Sequence, residues 1–330
     1  MEELSQAAPP ASSEPASSFR AVLSAEGTSL LLMSDDPVPD GGEGAGVPVR
    51  LYHRDLASGR TRLISGGTNP WSGELSADGG TVLWESSDPV IETGDENEDS
   101  DVVLTRVDTG GRELISVALA GDGVSMASGA SLGGGGFSDD GQRYAYLSTA
   151  PDLADHDTNG TLDAFVYHAN PPTNHLVSVG TESSDAVGGV REVVLARDGN
   201  HAAFVTRVPG VTPGDHNAVA DVFVRDLQAG TTVLASAADG SDASLDQEAS
   251  DVRLSADGRW VAFRARTSAP LPSATSLVLR DLQTRRTTII NERRRTGQGV
   301  SASAKEIIFR SAMTMVFIEL EFVTSSGQRY

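Results

Sequence analysis

The chain has no cysteine among its 330 residues, which excludes disulfides, thiolate-bound zinc and a cysteine nucleophile and leaves the redox compartment open. Positive charge is scarce: 25 Lys and Arg stand against 46 Asp and Glu, a formal charge of −21. That excess repels phosphate backbones and anionic headgroups, so no nucleic-acid or membrane-surface partner is expected. Long apolar runs are missing. The most apolar late stretch, Met315 to Val323, is broken by Glu319 and Glu321 and is too short to span a bilayer, so no membrane insertion is expected. Residues 1–18, rich in Ala, Pro and Ser, have neither the basic nor the apolar region of an export signal and read as a disordered leader.

What the chain does have is glycine and repetition. Its 35 glycines are scattered along the whole length, as many tight turns between short strands require. One phrase returns: LSADGGTVLW from Leu75, FSDDGQRYAY from Phe137, LARDGNHAAF from Leu195 and LSADGRWVAF from Leu254. A fifth copy, LSAEGTSLLL, starts at Leu23, and a worn sixth, VSASAKEIIF, starts at Val300 with Ala304 in place of the glycine. Asp-Gly between two apolar runs is a hairpin signal, because glycine takes the positive φ of the turn without a Cβ clash. The turns fall near 26, 78, 140, 198, 257 and 303, a spacing of 46 to 62 residues that accommodates four strands and their loops. A second phrase follows each hairpin and ends in a turn: LYHRDL from Leu51, VFVRDL from Val222 and LVLRDL from Leu277. Short apolar pieces such as Val233-Leu234-Ala235 then supply a fourth strand. Four antiparallel strands make one propeller blade.

These words resemble the WD40-like repeats of the TolB-like β-propeller family, over nearly all of Phe19 to Phe309. The resemblance implies an all-β fold, a six-bladed β-propeller of four-stranded antiparallel blades with a degenerate last blade, formed by a single domain over 19–330. It also implies a periplasmic or extracellular location. For function it implies little, since propellers of this family serve as binding scaffolds, translocation components, peptidase domains and lyases.

The most distinctive polar pattern lies between the two phrases, as Asp95-x-Asn97-x-x-x-Asp101, Asp157-x-Asn159-x-x-x-Asp163 and Asp215-x-Asn217-x-x-x-Asp221. In the first repeat the matching positions read as Asp40, Gly42 and Gly46, and in the fifth Ser276 replaces the last acid. Hard oxygen donors at alternating positions of a tight loop suit Ca2+, and the first loop adds Asp99 to make the most acidic set. The match to an EF-hand fails, because Arg106, His168 and Asp226 stand where its bidentate Glu belongs. The other reading needs no ion: Asp and Asn cap turns through backbone N–H groups two residues on, and the last Asp opens a strand.

Other constellations carry less. The six histidines show no zinc spacing and are expected to be scattered surface residues. Gly133 to Gly136 lacks the Lys-Ser/Thr of a phosphate loop and reads as a flexible connector. No Gly-x-Ser-x-Gly elbow occurs. The arginines at 285, 286, 293, 294 and 295 form a local basic patch read as a solvated loop. The functional expectation is a non-enzymatic scaffold that binds a protein or a glycan, stabilised by calcium if the acidic loops hold it. The alternative is a hydrolase or lyase with a carboxylate or metal site in the central channel.

Overall fold

The computed structural model describes residues 18–34, 49–65, 70, 72–87, 99–118, 127–181, 185–267 and 275–290, together with the backbone of 310–311 and 314–315. All regular structure among them is β. Five four-stranded sheets follow one another along the chain. The first comprises β1 (Ser18–Leu23), β2 (Ser29–Ser34), β3 (Arg50–Asp55) and β4 (Thr61–Leu63). The second comprises β5 (Ser72–Leu75), β6 (Thr81–Ser86), β7 (Asp101–Arg106) and β8 (Arg112–Leu114). The third is β9 (Ser131–Leu132), β10 (Arg143–Ser148), β11 (Asp163–Ala169) and β12 (Pro172–Leu176). The fourth is β13 (Glu192–Leu195), β14 (His201–Thr206), β15 (Asp221–Asp226) and β16 (Thr231–Leu234). The fifth is β17 (Gln247–Leu254), β18 (Trp260–Thr267), β19 (Thr275–Asp281) and β20 (Arg286–Ile289). A short hairpin, β21 (Arg310–Ser311) with β22 (Thr314–Met315), comes after them. The sheets pair in simple sequence order and antiparallel throughout, as the hairpin and turn phrases require. The expected sixth turn near 303 and nearly all of the leader lie outside the described residues.

The chain divides into two compact units, Met1–Leu176 and Val177–Tyr330. The first holds three sheets, the second two and the short hairpin. In both, burial is graded across each sheet. The second strands of the first four sheets are almost wholly buried, β2 in all six residues and β6, β10 and β14 in all but the first, whereas β18 exposes Arg264 and Arg266. The fourth strands β12 and β20 are mostly exposed or half-buried. Strands covered on both faces read as unbroken apolar runs, and only the outer strands keep the apolar-polar alternation, as in β16 with Val233 out and Leu234 in. The core of the first unit joins Leu83, Leu104 and Ile115 to Tyr144, Tyr146 and Phe165, with Tyr146 stacked on Phe165 at 5.7 Å. The core of the second joins Val222, Val224 and Ala235 to Val252, Val261 and Phe263.

The repeated turn has a common internal wiring. Asp78 Oδ1 receives the Ser76 hydroxyl (2.6 Å) and the Gly80 N–H (2.9 Å), while Ser76 Oγ receives the Thr81 N–H (2.9 Å). Ser138 with Asp140 and Ser255 with Asp257 repeat the arrangement. At two of the turns the glycine also faces the preceding sheet, whereas a Cβ at Gly141 would meet nothing. A Cβ at Gly79 (φ +77°) would lie 2.4 Å from Ser29 Oγ, and one at Gly258 (φ +68°) would lie 2.3 Å from the His201 ring. Main-chain bonds from Glu26 N–H to Ala77 O and from Asp198 N–H to Ala256 O tie the same turns together. The motif thus closes a hairpin and packs it onto its neighbour.

The second phrase has a role of its own. Arg54, Arg225 and Arg280 each donate from Nη1 to the threonine seven residues on, Thr61, Thr232 and Thr287, at 2.8 to 3.0 Å. The aspartate after each accepts turn N–H groups, as Asp226 Oδ1 does from Gln228 and Ala229. The Gly133–Gly136 run departs from the flexible connector expected of it. It lies against β10, with Gly135 N–H bonded to Ala145 O and Gly136 O to Ala145 N–H, and a Cβ at Gly135 would meet the Ala145 backbone at 2.6 Å. Glycine is needed there for close approach.

Candidate functional site

Fourteen residues separate β6 from β7, β10 from β11 and β14 from β15, and the Asp-x-Asn-x-x-x-Asp pattern falls inside these loops. Its last acid is the first residue of the third strand in every case. Strand register fixes it: Ser86 pairs with Asp101, Ser148 with Asp163 and Thr206 with Asp221. In the first sheet Ser34 pairs with Arg50, so Arg50, and not the Gly46 read from the sequence, occupies the acid position there. In the fifth Ala265 pairs with Ser276, as the sequence alignment has it.

The strand-opening acids are enclosed. Asp101 and Asp163 are fully buried and Asp221 is 1% exposed. The Ser116 hydroxyl donates to Asp101 Oδ1 (2.7 Å) and the Ser236 hydroxyl to Asp221 Oδ1 (2.5 Å), and each serine oxygen accepts the N–H after that acid, from Val102 and Val222. Asp163 Oδ2 receives Asn159 Nδ2 at 2.8 Å.

The acids earlier in the loops are placed differently. Asp157 and Asp215 are each 3% exposed. Neither oxygen of Asp157 meets a donor at hydrogen-bond geometry, nor does Asp215 Oδ1, Asp221 Oδ2 or the buried hydroxyl of Thr212. Asp215 Oδ2 has only the distant Val211 N–H, at 3.4 Å. Burial, followed by the neighbouring charge of Asp163, pushes the Asp157 carboxyl up to about 6. Burial also raises Asp215, and burial together with the Asp215 charge pushes Asp221 up to about 7. Turn capping accounts for the asparagines: Asn159 Oδ1 accepts the Thr161 N–H (2.7 Å) and Asn217 Oδ1 the Val219 N–H (3.0 Å). It reaches the acids only in part: the Asn159 N–H lowers Asp157 and the Val211, Asn217 and Gly210 N–H groups lower Asp215 against burial, yet both oxygens of Asp157 and Asp215 Oδ1 lack a donor at full hydrogen-bond geometry. Asp99 lies exposed ahead of β7, and Asp95 and Asn97 are outside the described residues. Among the described residues no three His, Cys, Asp or Glu converge, so a cation in these loops draws on hydroxyl and main-chain oxygens besides a pair of carboxylates.

A second polar grouping went unnoticed in the sequence. A shallow groove of about 300 Å3 is lined by His201, Asp257, Gly258, Arg259, Leu282 and Gln283. His201 Nδ1 lies 2.7 Å from Asp198 Oδ2, and Arg259 bridges both oxygens of Asp281 at 3.0 and 2.7 Å while lying over the Trp260 ring. No hydroxyl nucleophile lines it, and its parts are those of the turn wiring. The signal was in the phrase itself, where His201 stands at the position that Ser29 occupies opposite Gly79.

No family model matches the chain, and no curated protein matches it in sequence. Solved structures do resemble it. An oligogalacturonate lyase from Vibrio parahaemolyticus aligns with 82% of this chain and 64% of its own at 9% identity and TM-score 0.55. A TolB structure from Agrobacterium tumefaciens aligns with 84% of this chain and 81% of its own at 14% identity and TM-score 0.49. The β-propeller domain of the trilobed protease from Pyrococcus furiosus aligns with 83% and 70% at 9% identity and TM-score 0.47. At such identities the likeness extends to the fold alone. No helix of the described residues is long and apolar enough to cross a membrane. Successive four-stranded antiparallel sheets built on one repeated phrase give the chain the blade architecture of a β-propeller.

Proposed function

We propose that the protein is a non-enzymatic binding scaffold that presents its fourteen-residue blade loops to a protein or glycan partner outside the cytoplasm, in the periplasm or beyond the cell. One observation supports this reading above the rest. The loops of the third and fourth blades share a buried skeleton, Leu153, Ala154 and Asp157 in one and Val211, Thr212 and Asp215 in the other. Exposed positions beside that skeleton differ, Asp155 against Pro213, Thr158 against His216 and Gly160 against Ala218. A fixed frame with variable exposed positions is how rigid scaffolds carry recognition. The charge of −21 favours a neutral or basic partner over nucleic acid or an anionic membrane surface.

The test is to screen the whole chain on glycan and protein arrays, and then to repeat any binding with Asp155 and Thr158, or Pro213 and His216, changed to alanine. The expected result is loss of binding with an unchanged melting temperature. Binding that ignores both sets of changes sinks the reading. The competing one, a hydrolase or lyase with a carboxylate or metal site in the central channel, draws support from the fold likeness to the oligogalacturonate lyase. Cleavage of an arrayed oligosaccharide or peptide with turnover would put it in place of the scaffold.

A further inference from the structure

We propose that the Asp157–Asp163 loop and the Asp215–Asp221 loop each hold one divalent cation of the calcium class, gripped by the two loop carboxylates and completed by neutral oxygens of the same loop. The proposal is independent of any partner, since each set of ligands lies within a single blade.

Its foundation is a set of buried oxygens left without donors. In the fourth blade Asp215 Oδ1, Asp221 Oδ2 and Thr212 Oγ1 are all enclosed and all unpartnered, and in the third both oxygens of Asp157 are. Their residues are at least 95% buried. Buried polar atoms elsewhere in proteins are almost always paired, and a cluster that is not is the mark of an absent ion or water. Counter-charge is missing too. No arginine or lysine pairs with Asp157, Asp215 or Asp221 among the described residues. The charges they feel most strongly are other acids, Asp163 and Asp152 around Asp157, and Asp215 and Asp246 around Asp221, with only His216 opposing at Asp215. Enclosing two carboxylates together is relieved either by a proton on one of them or by a cation between them, and the cation also supplies the unpartnered oxygens with ligand bonds.

The donor chemistry selects the ion. Carboxylate, hydroxyl and main-chain oxygens are hard ligands without a thiolate or an imidazole among them, which suits Ca2+ with its six to eight oxygens and flexible geometry. One acid of each pair is immobile, because Asp163 and Asp221 are held in strand register, and the other comes from the loop. In the third blade Asn159 is committed through Nδ2 to Asp163 Oδ2 and through Oδ1 to the Thr161 N–H, so main-chain oxygens of the loop complete the set there. In the fourth, Asn217 is committed to Ser244 Oγ and Leu245 O, so Thr212 Oγ1 takes the corresponding share. The first and fifth blades carry Arg50 and Ser276 at the strand-opening position and lack the acid pair, so neither should bind.

The experiment uses the full chain stripped with chelator. Calorimetric titration with CaCl2 should find at least two sites per chain, and about 1 mM calcium should raise the melting temperature by about 3 °C or more over chelator. Asp157→Asn and Asp215→Asn should each remove one site, and each variant should melt in chelator no lower than the unmodified chain, because one of two crowded charges is gone. Magnesium, which demands tighter octahedral geometry, should give a smaller rise. No heat of binding together with identical melting in calcium and chelator overturns the proposal. So does a stoichiometry that neither variant changes. Should a variant fail to fold, the titration of the unmodified chain still decides.

Discussion

The two ends of a blade use aspartate in opposite ways. At the hairpin end Asp78 and Asp257 are held below the usual carboxylate range by a serine hydroxyl first and then by turn N–H groups. Asp140 follows them, although burial works against it, because Ser138 and the Gln142 N–H outweigh that push. At the loop end Asp157, Asp215 and Asp221 are raised, by burial above all. The residue is the same and the chain is the same. What differs is how completely the local donors meet the carboxylate. The turn completes its acid from within four residues, whereas the loop encloses its acids and leaves oxygens without a partner. The turn is therefore a self-sufficient folding device, and the loop is the place where the proposed cation would do its work.

The largest effect that would break this comparison lies at the turn glycine. Gly258→Ala places a Cβ within 2.5 Å of the His201 ring at a φ of +68°, and both the strain and the clash fall on one rigid junction. The expected cost is about 3 kcal/mol in urea unfolding. A cost below about 1 kcal/mol would mean that the turns do not lock neighbouring blades.

Removing a turn acid should do less and should ignore calcium. Asp78→Ala strips the Ser76 hydroxyl and the Gly80 N–H of their acceptor, a loss of about 1 to 2 kcal/mol for a charge-assisted pair of bonds at a partly exposed site. The loss should be equal in calcium and in chelator. If it shrinks in chelator, the two classes of aspartate are not distinct.

The turn was legible in the sequence because Asp-Gly, the flanking apolar runs and the spacing all express one local requirement, and five of the six read-out turns lie in described hairpins with the strands expected around them. The second phrase was legible as a strand and a turn, but not the reason for its Arg-Asp pair. The threonine that each arginine reaches sits on the next strand, and Arg280 also bonds Ala238 O and Ser241 O, contacts that no local pattern encodes. The Gly133–Gly136 run misled for the same reason, since its glycines answer to Ala145 across the sheet. In the acidic loops the spacing picked out a recurring set of residues and ranked them by charge. Burial, which separates the exposed Asp99 from the enclosed Asp157 and Asp215, is a tertiary property. Arg50 escaped notice because the only acid-led match in the first loop, Asp40-x-Gly42-x-x-x-Gly46, ends ahead of the strand register that Ser34 and Arg50 set.

The smallest expected effect tests a turn acid that lacks its serine. Ala196 stands where Ser76, Ser138 and Ser255 do, and Asp198 instead takes His201 Nδ1. The Asp198 carboxylate is the leading cause that raises His201 above its ordinary 6.5, with Asp226 and Asp257 adding to it, while burial pushes Asp198 up and the His201 ring with the Asn200 and His201 N–H groups together more than reverse that push. The proton on the imidazole therefore favours the fold. Its contribution is complete below about 6.5, the value of an unfolded histidine, and fades as pH rises through the higher folded value. The lowered Asp198 contributes above about 4 and loses its share only as pH falls through its own folded value. The pair thus stabilises most between about 4 and 6.5. His201→Gln should widen the stability gap to the unmodified chain at about pH 5.5 and narrow it at about pH 8, by under about 1 kcal/mol, because both side chains are about a quarter exposed. Comparing the two chains matters, since burial lowers His53 and His175 and their protonation opposes folding over the same range. A gap that stays flat with pH would mean that His201 binds Asp198 as a neutral imidazole. The histidine would then replace the missing serine as a hydrogen-bond donor alone, and the fourth turn would be wired like the others without a charge.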